Sequence, residues 1–443
     1  MLRPGYQGWD QAVPTWNAMV AMTPALVLQP TSAAHVAAGV GFAREHGLLL
    51  RIKGGGHNIA GTAIAEGGLT LDLSGMRELT VDPEARLAHV GPGCRLADVD
   101  QATQAHGLAT PLGFISEVGV GGLTLGGGLG YLTRRFGWTV DNLVEAEVVG
   151  ADGQVRVASR EAHPDLFWAL RGGGGNFGVV TRFAFRLHPV GPEVHGGLIA
   201  WPFERAGEVM ATHQAVTATA PRELAVWLLL LKAPPAPFVP PAWHGRRVCA
   251  MVVCYSGDLD RVDQALAPIR ALGDPVVDLL ATQPYTQVQS YLDDTEPKGL
   301  HYYWKTEFLA GLDDRLLAAL RELFATCPIP EAELGLLHLD GALNERPADD
   351  GAVGNRDARY VLGVNGMWAP DEPGADPFRR WIRDAWGRLR PFSTGATYVN
   401  FQTADEGDDR VRATYGANWD RLVELKRRWD PDNLFRSNRN VRP

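Results

Sequence analysis

Hydrophobic residues in the first 190 positions fall into short runs that alternate with glycine-rich turns. This pattern predicts short strands at residues 25–28, 48–53, 69–73, 88–90, 143–149 and 155–158. Helices are predicted from a cap at Thr31 and Ser32 through Phe42 to Gly47, at residues 96–106 and at residues 164–170. The mixture indicates an α+β or α/β domain that ends near Pro189.

Apolar runs become longer between about residues 195 and 390, as at residues 226–231, 248–255 and 359–364. Amphipathic helices are predicted among them at residues 313–324 and 377–389, and the proline-rich stretch 233–243 is predicted to be a loop between two strands. We interpret this region as a second α+β domain. A helix over residues 410–429 and an irregular end rich in Asn and Arg complete the chain.

Composition and motif searches exclude several classes of function. The 443 residues carry 42 Lys+Arg against 51 Asp+Glu, with no long basic run, so nucleic acid is not an expected partner. The four cysteines form no CxxC pair, and neither HExxH nor a calcium loop occurs, so we expect reduced thiols and no metal. Because no apolar stretch is long enough for a membrane span and no export signal is evident, we expect a cytoplasmic protein without a membrane partner.

Glycine is the unusual residue of this chain, with 51 copies that concentrate at residues 54–56, 113–130 and 172–178. Such clusters indicate that the backbone makes a close approach to another group at these positions. The GxGxxG from Gly173 to Gly178 follows a predicted helix and precedes a predicted strand. A Rossmann dinucleotide site needs the reverse order, so we reject that interpretation.

Two of the glycine segments have the character of ligand-binding loops. The first, residues 51–58, is a strand that ends in three glycines, whose N–H groups could cradle a pyrophosphate. A tight turn with an exposed His57 fits that spacing equally well. The second, residues 118–130, has so few side chains that a flat ligand could lie directly on the main chain, and a structural glycine hinge is the alternative.

Several motifs then follow one another in a characteristic order: residues 51–58, 113–130, Asp141-Asn142-Leu143, residues 173–181, Tyr398-Val-Asn400 and residues 430–436. In this order they resemble the FAD-linked oxidases of the vanillyl-alcohol-oxidase superfamily, and specifically the berberine-bridge-enzyme-like branch with its bacterial members such as hydroxynicotine oxidase. The resemblance implies an α+β fold with a PCMH-type FAD-binding domain formed by residues 1–195 and 395–443. Residues 196–394 would form an inserted α+β substrate domain, an antiparallel sheet covered by helices.

The resemblance also implies FAD as the cofactor and assigns the residues that hold it. His57 matches the histidine that bonds to the 8α-methyl carbon of the flavin, which requires an unprotonated ring nitrogen. Relatives with a second tether carry a cysteine where this chain has Ile115, so we expect a single attachment, through His57. The expected cofactor-binding residues are Arg51, Lys53, Gly54, Gly55, Gly56, His57, Asn58, Gly113, Ile115, Val118, Gly119, Gly121, Gly122, Gly126, Gly178, Val180, Asn400 and Asn438.

The reaction that the resemblance implies is hydride transfer from a small-molecule amine or alcohol to the flavin, with reoxidation by O₂ to give H₂O₂. Val118 lies where oxidases of the family tend to carry valine and dehydrogenases leucine, which favours an oxidase. The positions of the family's catalytic bases hold Ile59, Phe401 and Leu362, all of them apolar. We assign these three residues, together with Trp138, to the substrate pocket.

Two mechanisms remain open at this point. An amine can give up a hydride without a strong base, because its lone pair stabilises the nascent iminium ion. A hydroxyl substrate needs proton transfer, for which the candidates are Tyr398, the expected catalytic partner of His57, and Tyr302, Tyr303, His338 and Asn365. The alternative functions are a natural-product oxidase or oxygenase acting on a polyketide or other aromatic, and a flavin-binding protein without turnover.

Overall fold

The first part of the chain builds two sheets. The structure is a computed structural model, which describes residues 1–373, 375–436 and 439–443. Three parallel strands, Leu26–Leu28, Leu50–Lys53 and Leu69–Asp72, form a sheet with the last of them in its centre. Five antiparallel strands form a second sheet; in chain order they are Leu79–Asp82, Leu87–Val90, Leu143–Val149, Val155–Ser159 and Val179–Arg186. Within the sheet, the fifth of these strands lies between the second and the third, and the first and the fourth form the edges.

A large antiparallel sheet of eight strands occupies the middle of the chain. Its strands are Glu193–Pro202, Leu224–Lys232, Arg247–Tyr255, Val277–Asp278, Ala281–Pro284, His301–Leu309, Glu331–His338 and Tyr360–Trp368. The helices Ala206–Thr219, Val262–Arg270, Asp314–Ala325 and Ala375–Leu389 cover one face and share a buried core with it. The predicted α+β fold, with an antiparallel sheet covered by helices, is confirmed.

The opposite face of the large sheet packs on the first part of the chain. Trp227, Phe308 and Val361 of the sheet share a buried core with Leu129 and Trp138. This contact places the second glycine segment, residues 118–130, directly against the sheet. The boundaries that the sequence predicts between the units, near residues 195 and 395, stay predictions.

The remaining helices are Trp9–Ala12, Ala33–Glu45, Leu96–Gln104, Val120–Leu125, Thr133–Phe136, Pro164–Leu170 and Tyr285–Gln289, and the short strands Leu108–Ala109 and His188–Pro189 pair with each other. The predicted cap at Ser32 is present, since its side chain accepts a hydrogen bond from the His35 N–H. The Gly173–Gly178 motif lies between a helix and a strand, as predicted. Within the described ranges, no helix has the length and apolar character needed to cross a bilayer.

The C-terminal helix differs from its prediction. Instead of one helix over residues 410–429, the structure has two helices, Asp408–Tyr415 and Trp419–Trp429, joined by a 3₁₀ turn. The break occurs at Gly416, whose φ of 53° lies in the left-handed region that a continuous α-helix does not use. The second of these helices packs Leu422 and Leu425 into the core that lies beneath the five-stranded sheet, so the chain end returns to its first part.

Candidate active site

A cavity lies between the two glycine segments and the large sheet. Most of the predicted cofactor-binding residues meet at its wall, although they come from four separate stretches of the chain. Those that line it are Gly54, Gly55, Gly56, His57, Asn58, Gly113, Ile115, Val118, Gly119, Gly121, Gly122, Gly178, Val180 and Asn400. Tyr398 and Phe401, predicted as a catalytic and a pocket residue, line it as well.

The two glycine segments touch each other through their backbones. A Cβ atom on Gly55 would lie 2.7 Å from the Gly119 Cα, and one on Gly119 would lie 2.7 Å from the Gly55 Cα, so neither position accepts a side chain without a shift of the backbone. Arg95 holds the pair together, because its guanidinium donates to the carbonyl oxygens of Gly55 and Glu117. The interpretation as a tight binding loop, rather than as an exposed turn, fits this geometry.

The first glycine segment offers donors for an anion. Among the described residues, no acceptor receives a hydrogen bond from the backbone N–H groups of residues 55–58. Consecutive N–H groups that are left free in a turn form a concave anion-binding site. A cradle of this kind next to a long, mostly apolar cavity fits the pyrophosphate and the flat ring system of FAD.

His57 lies at the cavity wall beside this cradle. Its imidazole ring stacks on the indole of Trp16, with ring centroids 5.5 Å apart. Burial, reinforced by the positive charges of Arg95 and Lys298, lowers the pKa of His57 to about 3. The ring is therefore neutral at physiological pH and has an unprotonated nitrogen.

Tyr398 and Asn400 form a small polar unit against the second glycine segment. The Tyr398 hydroxyl oxygen accepts hydrogen bonds from the Gly128 N–H and from the Asn400 side-chain amide, both at 2.8 Å. The same Asn400 amide donates to the Leu123 carbonyl oxygen at 3.1 Å. Burial raises the pKa of Tyr398 well above its usual range, so the phenol keeps its proton.

An aromatic wall that sequence reasoning missed lines the cavity next to His57. Trp16 and Trp304 line it, and their rings lie 5.5 Å apart. Trp304 also meets Phe401 edge to face at 5.5 Å. Glu296, missed as well, lines the cavity beside them, and its carbonyl oxygen accepts a hydrogen bond from the Trp16 indole N–H at 2.8 Å.

Comparisons with known proteins agree with this geometry. A family model described as "FAD binding domain" matches residues 24–159, and one described as "Berberine and berberine like" matches residues 397–442. An FAD-linked oxidoreductase of Dictyostelium discoideum is 30% identical over 448 residues, which cover 100% of this chain and 94% of that protein. The chain belongs to the berberine-bridge-enzyme-like family of FAD-linked oxidoreductases.

Two further relatives of this flavoenzyme and one solved structure have named activities. The (R)-6-hydroxynicotine oxidase of Paenarthrobacter nicotinovorans is 29% identical, over 100% of this chain and 96% of that protein. A crystal structure of 6-hydroxy-D-nicotine oxidase from Arthrobacter nicotinovorans superposes with a TM-score of 0.88 at 25% identity, covering 100% of this chain and 97% of that one. The xylooligosaccharide oxidase of Thermothelomyces thermophilus is 28% identical over 98% of this chain and 90% of its own length. This protein is accordingly an FAD-linked oxidoreductase.

Three of the predicted cofactor-binding residues of this oxidoreductase do not line the cavity and instead contact other parts of the protein. The Arg51 guanidinium donates to the Arg436 carbonyl oxygen at 2.7 Å, and the buried Lys53 ammonium donates to the Ala12 carbonyl oxygen. A Cβ atom on Gly126 would lie 2.6 Å from the Asn400 side-chain Cγ, so this glycine makes room for Asn400. The predicted contact of Asn438 lies outside the described residues.

The structure does not support a substrate-pocket role for three residues. Trp138 is fully buried behind Tyr398, whose ring it stacks on at 5.7 Å. Leu362 points into the core beneath the helices that cover the large sheet. Ile59 is buried in a small cluster with Trp16 and does not reach the cavity wall. In each case the apolar side chain is used for packing.

None of the four residues that were weighed as alternative bases lines the cavity in the described part of the chain. The Tyr302 hydroxyl donates to the Pro297 carbonyl oxygen at 2.5 Å, and the Tyr303 hydroxyl donates to the Asp405 carboxylate at 2.6 Å. His338 is completely buried at the end of the Glu331–His338 strand of the large sheet. Asn365 lies on the strand next to Trp304, and its amide donates to the Glu333 carboxylate at 3.4 Å.

Proposed function

We propose that the protein is an FAD-dependent oxidase that takes a hydride from a small-molecule amine or alcohol and passes the electrons to O₂, giving H₂O₂. The observation that carries the proposal is one cavity whose wall brings together the anion cradle, the neutral His57 and a set of aromatic side chains that begins at Trp16. Bound FAD supplies the hydride acceptor and the reaction with O₂. The chain itself supplies the position of the substrate and a cavity that is largely apolar.

We also infer that the flavin is attached covalently and only once, through His57. The neutral ring has a nitrogen lone pair available at physiological pH, as a nucleophile requires. Ile115 lines the cavity where relatives with a second tether carry a cysteine. None of the four cysteines, all of which are described and buried, lines the cavity, so no thiol replaces the missing one.

Acid precipitation of the purified protein tests this proposal directly. We expect a yellow protein whose colour stays with the acid pellet, because a covalent bond survives unfolding. Absorbance of the pellet and of the supernatant is the measurement. Colour released to the supernatant would leave a flavoenzyme without a tether, and a protein that takes up no FAD would contradict the whole proposal.

The side chains of Tyr398 and Phe401 supply no general base to the cavity, which favours an amine over an alcohol as substrate. Tyr398 keeps its proton at neutral pH, so it can donate a hydrogen bond but cannot act as a general base. Phe401 lines the cavity without any titratable group. An amine in its neutral form needs no strong base for hydride loss, which agrees with this environment.

Val118 gives a prediction for the reaction with O₂. Val118 lines the cavity, as do Ile115 and Gly119, so Val118→Leu adds a methylene to this part of the wall. We expect turnover with O₂ to fall by about tenfold, while turnover with a dye as electron acceptor stays unchanged. An oxygen electrode and a dye-coupled assay with the same substrate measure both.

The matched control for this change is Val155→Leu, because Val155 is 45% exposed and remote from the cavity. The control should leave both rates unchanged. If Val118→Leu turns over with O₂ as fast as the unmodified enzyme does, and its rate with the dye is also unchanged, Val118 does not control the approach of O₂.

A further inference from the structure

Glu296 is a carboxyl group at the wall of the cavity. Its backbone is fixed, because the Glu296 carbonyl oxygen accepts the Trp16 indole N–H at 2.8 Å. The Trp16 carbonyl oxygen in turn accepts the Gly299 N–H at 3.1 Å, which closes the loop that carries Glu296 onto the N-terminal segment. Two hydrogen bonds to Trp16, one at Glu296 and one at Gly299, therefore hold the backbone of this loop in place.

Glu296 has no paired cation in the described part of the chain. Among the described residues, no side chain or backbone group donates a hydrogen bond to its carboxylate, and it forms no ion pair. The described lining of the cavity contains neither lysine nor arginine, and His57 is uncharged. The Glu296 side chain is half-buried at the wall, so its charged form would attract a cation bound in the cavity.

The aromatic wall strengthens this preference for positive charge. Trp16 and Trp304 line the cavity together with Glu296, and Phe401 and Tyr398 continue the wall towards the glycine segments. The faces of aromatic rings attract cations, most strongly where water is excluded. An aromatic enclosure with one unpaired carboxylate is a common way to bind a substituted ammonium group.

A second carboxyl group acts in the same direction. Glu333 receives one hydrogen bond, from the Asn365 amide at 3.4 Å, while the Asn365 amide oxygen is buried without a partner among the described residues. Burial, together with the charge of Glu333, raises the pKa of Glu296 to about 8. The negative charge of Glu333 therefore adds to the attraction that Glu296 exerts on a cation in the cavity.

We propose that Glu296 binds the protonated nitrogen of an amine and accepts its proton, which leaves the neutral amine to give up a hydride, and that it selects amines over alcohols of the same shape. The proposal rests on the proposed oxidase function, because it names the substrate class for that cavity. It assigns recognition to a residue on the loop after the Tyr285–Gln289 helix, and not to the apolar positions Ile59, Phe401 and Leu362.

Equilibrium binding to the flavin-loaded enzyme tests the proposal without relying on turnover. The probes are benzyltrimethylammonium, which has no nitrogen lone pair to support hydride loss, and the uncharged benzyl alcohol, each titrated calorimetrically without oxygen at a pH above 8. We expect the unmodified enzyme to bind the cation about tenfold or more tightly than the alcohol. Glu296→Gln should abolish that preference and leave the affinity for the alcohol unchanged.

Glu331→Gln is the matched control, because Glu331 is an exposed carboxylate on the Glu331–His338 strand and does not line the cavity. It should keep the full preference for the cation. An unmodified enzyme without that preference, or a preference that survives in Glu296→Gln, would overturn the proposal. Peroxide formation from alcohols without cation binding would contradict this inference alone, whereas cation binding without any flavin reduction by amines would contradict the oxidase function alone.

Discussion

His57→Ala is expected to free the flavin from the protein on acid precipitation while the native variant remains yellow. The cradle does not depend on the imidazole, since its free N–H groups and the contact between Gly55 and Gly119 belong to the backbone. The affinity for FAD should therefore survive. Turnover should fall by about tenfold, equivalent to about 1.4 kcal/mol of activation free energy, because an untethered ring is held less firmly in its reactive position.

His106→Ala is the control for this change, because His106 is an exposed histidine outside the cavity. Its flavin should precipitate with the protein, and its turnover should equal that of the unmodified enzyme. Colour that stays with the acid pellet of His57→Ala would locate the attachment elsewhere. Full turnover with released flavin would show that the tether has no part in catalysis.

Local signals in the sequence were sufficient for most of the individual elements. The predicted strand at residues 143–149 and the predicted helix at residues 164–170 have the same limits in the structure, because apolar runs and a proline at the helix start are local features. The prediction of a single terminal helix was wrong, because the helix is interrupted at Gly416. A glycine inside an amphipathic pattern is compatible with a continuous helix, and only its positive φ reveals the break.

The two walls of the cavity differ in how far the sequence could predict them. The glycine wall was predictable, because a backbone contact as close as that between Gly55 and Gly119 requires glycine at both positions. The aromatic wall was not, because the Trp16 indole meets Glu296 across 280 positions of the chain. Isolated tryptophans and glutamates carry no spacing signal, and only the packing of the N-terminal segment on the large sheet brings them together.

The difference between local and long-range signals also explains why two predicted pocket residues lie in the core of the structure instead. Trp138 and Leu362 were placed at the pocket because they match family positions, yet their side chains are 0% and 1% exposed and lie in separate cores. A position on a strand next to the site does not fix the face to which its side chain points. On the Tyr360–Trp368 strand, Leu362 points to the helices, whereas Asn365, an odd number of residues away, points to the opposite face.

Lys426→Met is expected to produce a large loss of stability at the point where the chain end closes on the FAD-binding domain. The Lys426 side chain is completely buried and donates to Asp430 at 2.6 Å, to the Asn176 carbonyl oxygen at 2.8 Å and to the Phe435 carbonyl oxygen at 2.5 Å. Removing the cation leaves the Asp430 carboxylate buried without its counter-charge. Breaking a buried ion pair in this way costs about 3–5 kcal/mol of unfolding free energy.

Urea unfolding followed by tryptophan fluorescence measures this loss, with Arg427→Ala as the control, because Arg427 is exposed on the same helix. The control should change the unfolding free energy by less than about 0.5 kcal/mol. The double variant Lys426→Met/Asp430→Asn should recover part of the stability, since it removes the unpaired charge as well. Asp430 also accepts the N–H groups of Leu434 and Phe435, so the recovery should be incomplete. A double variant less stable than Lys426→Met would mean that these backbone contacts, and not the ion pair, hold the chain end in place.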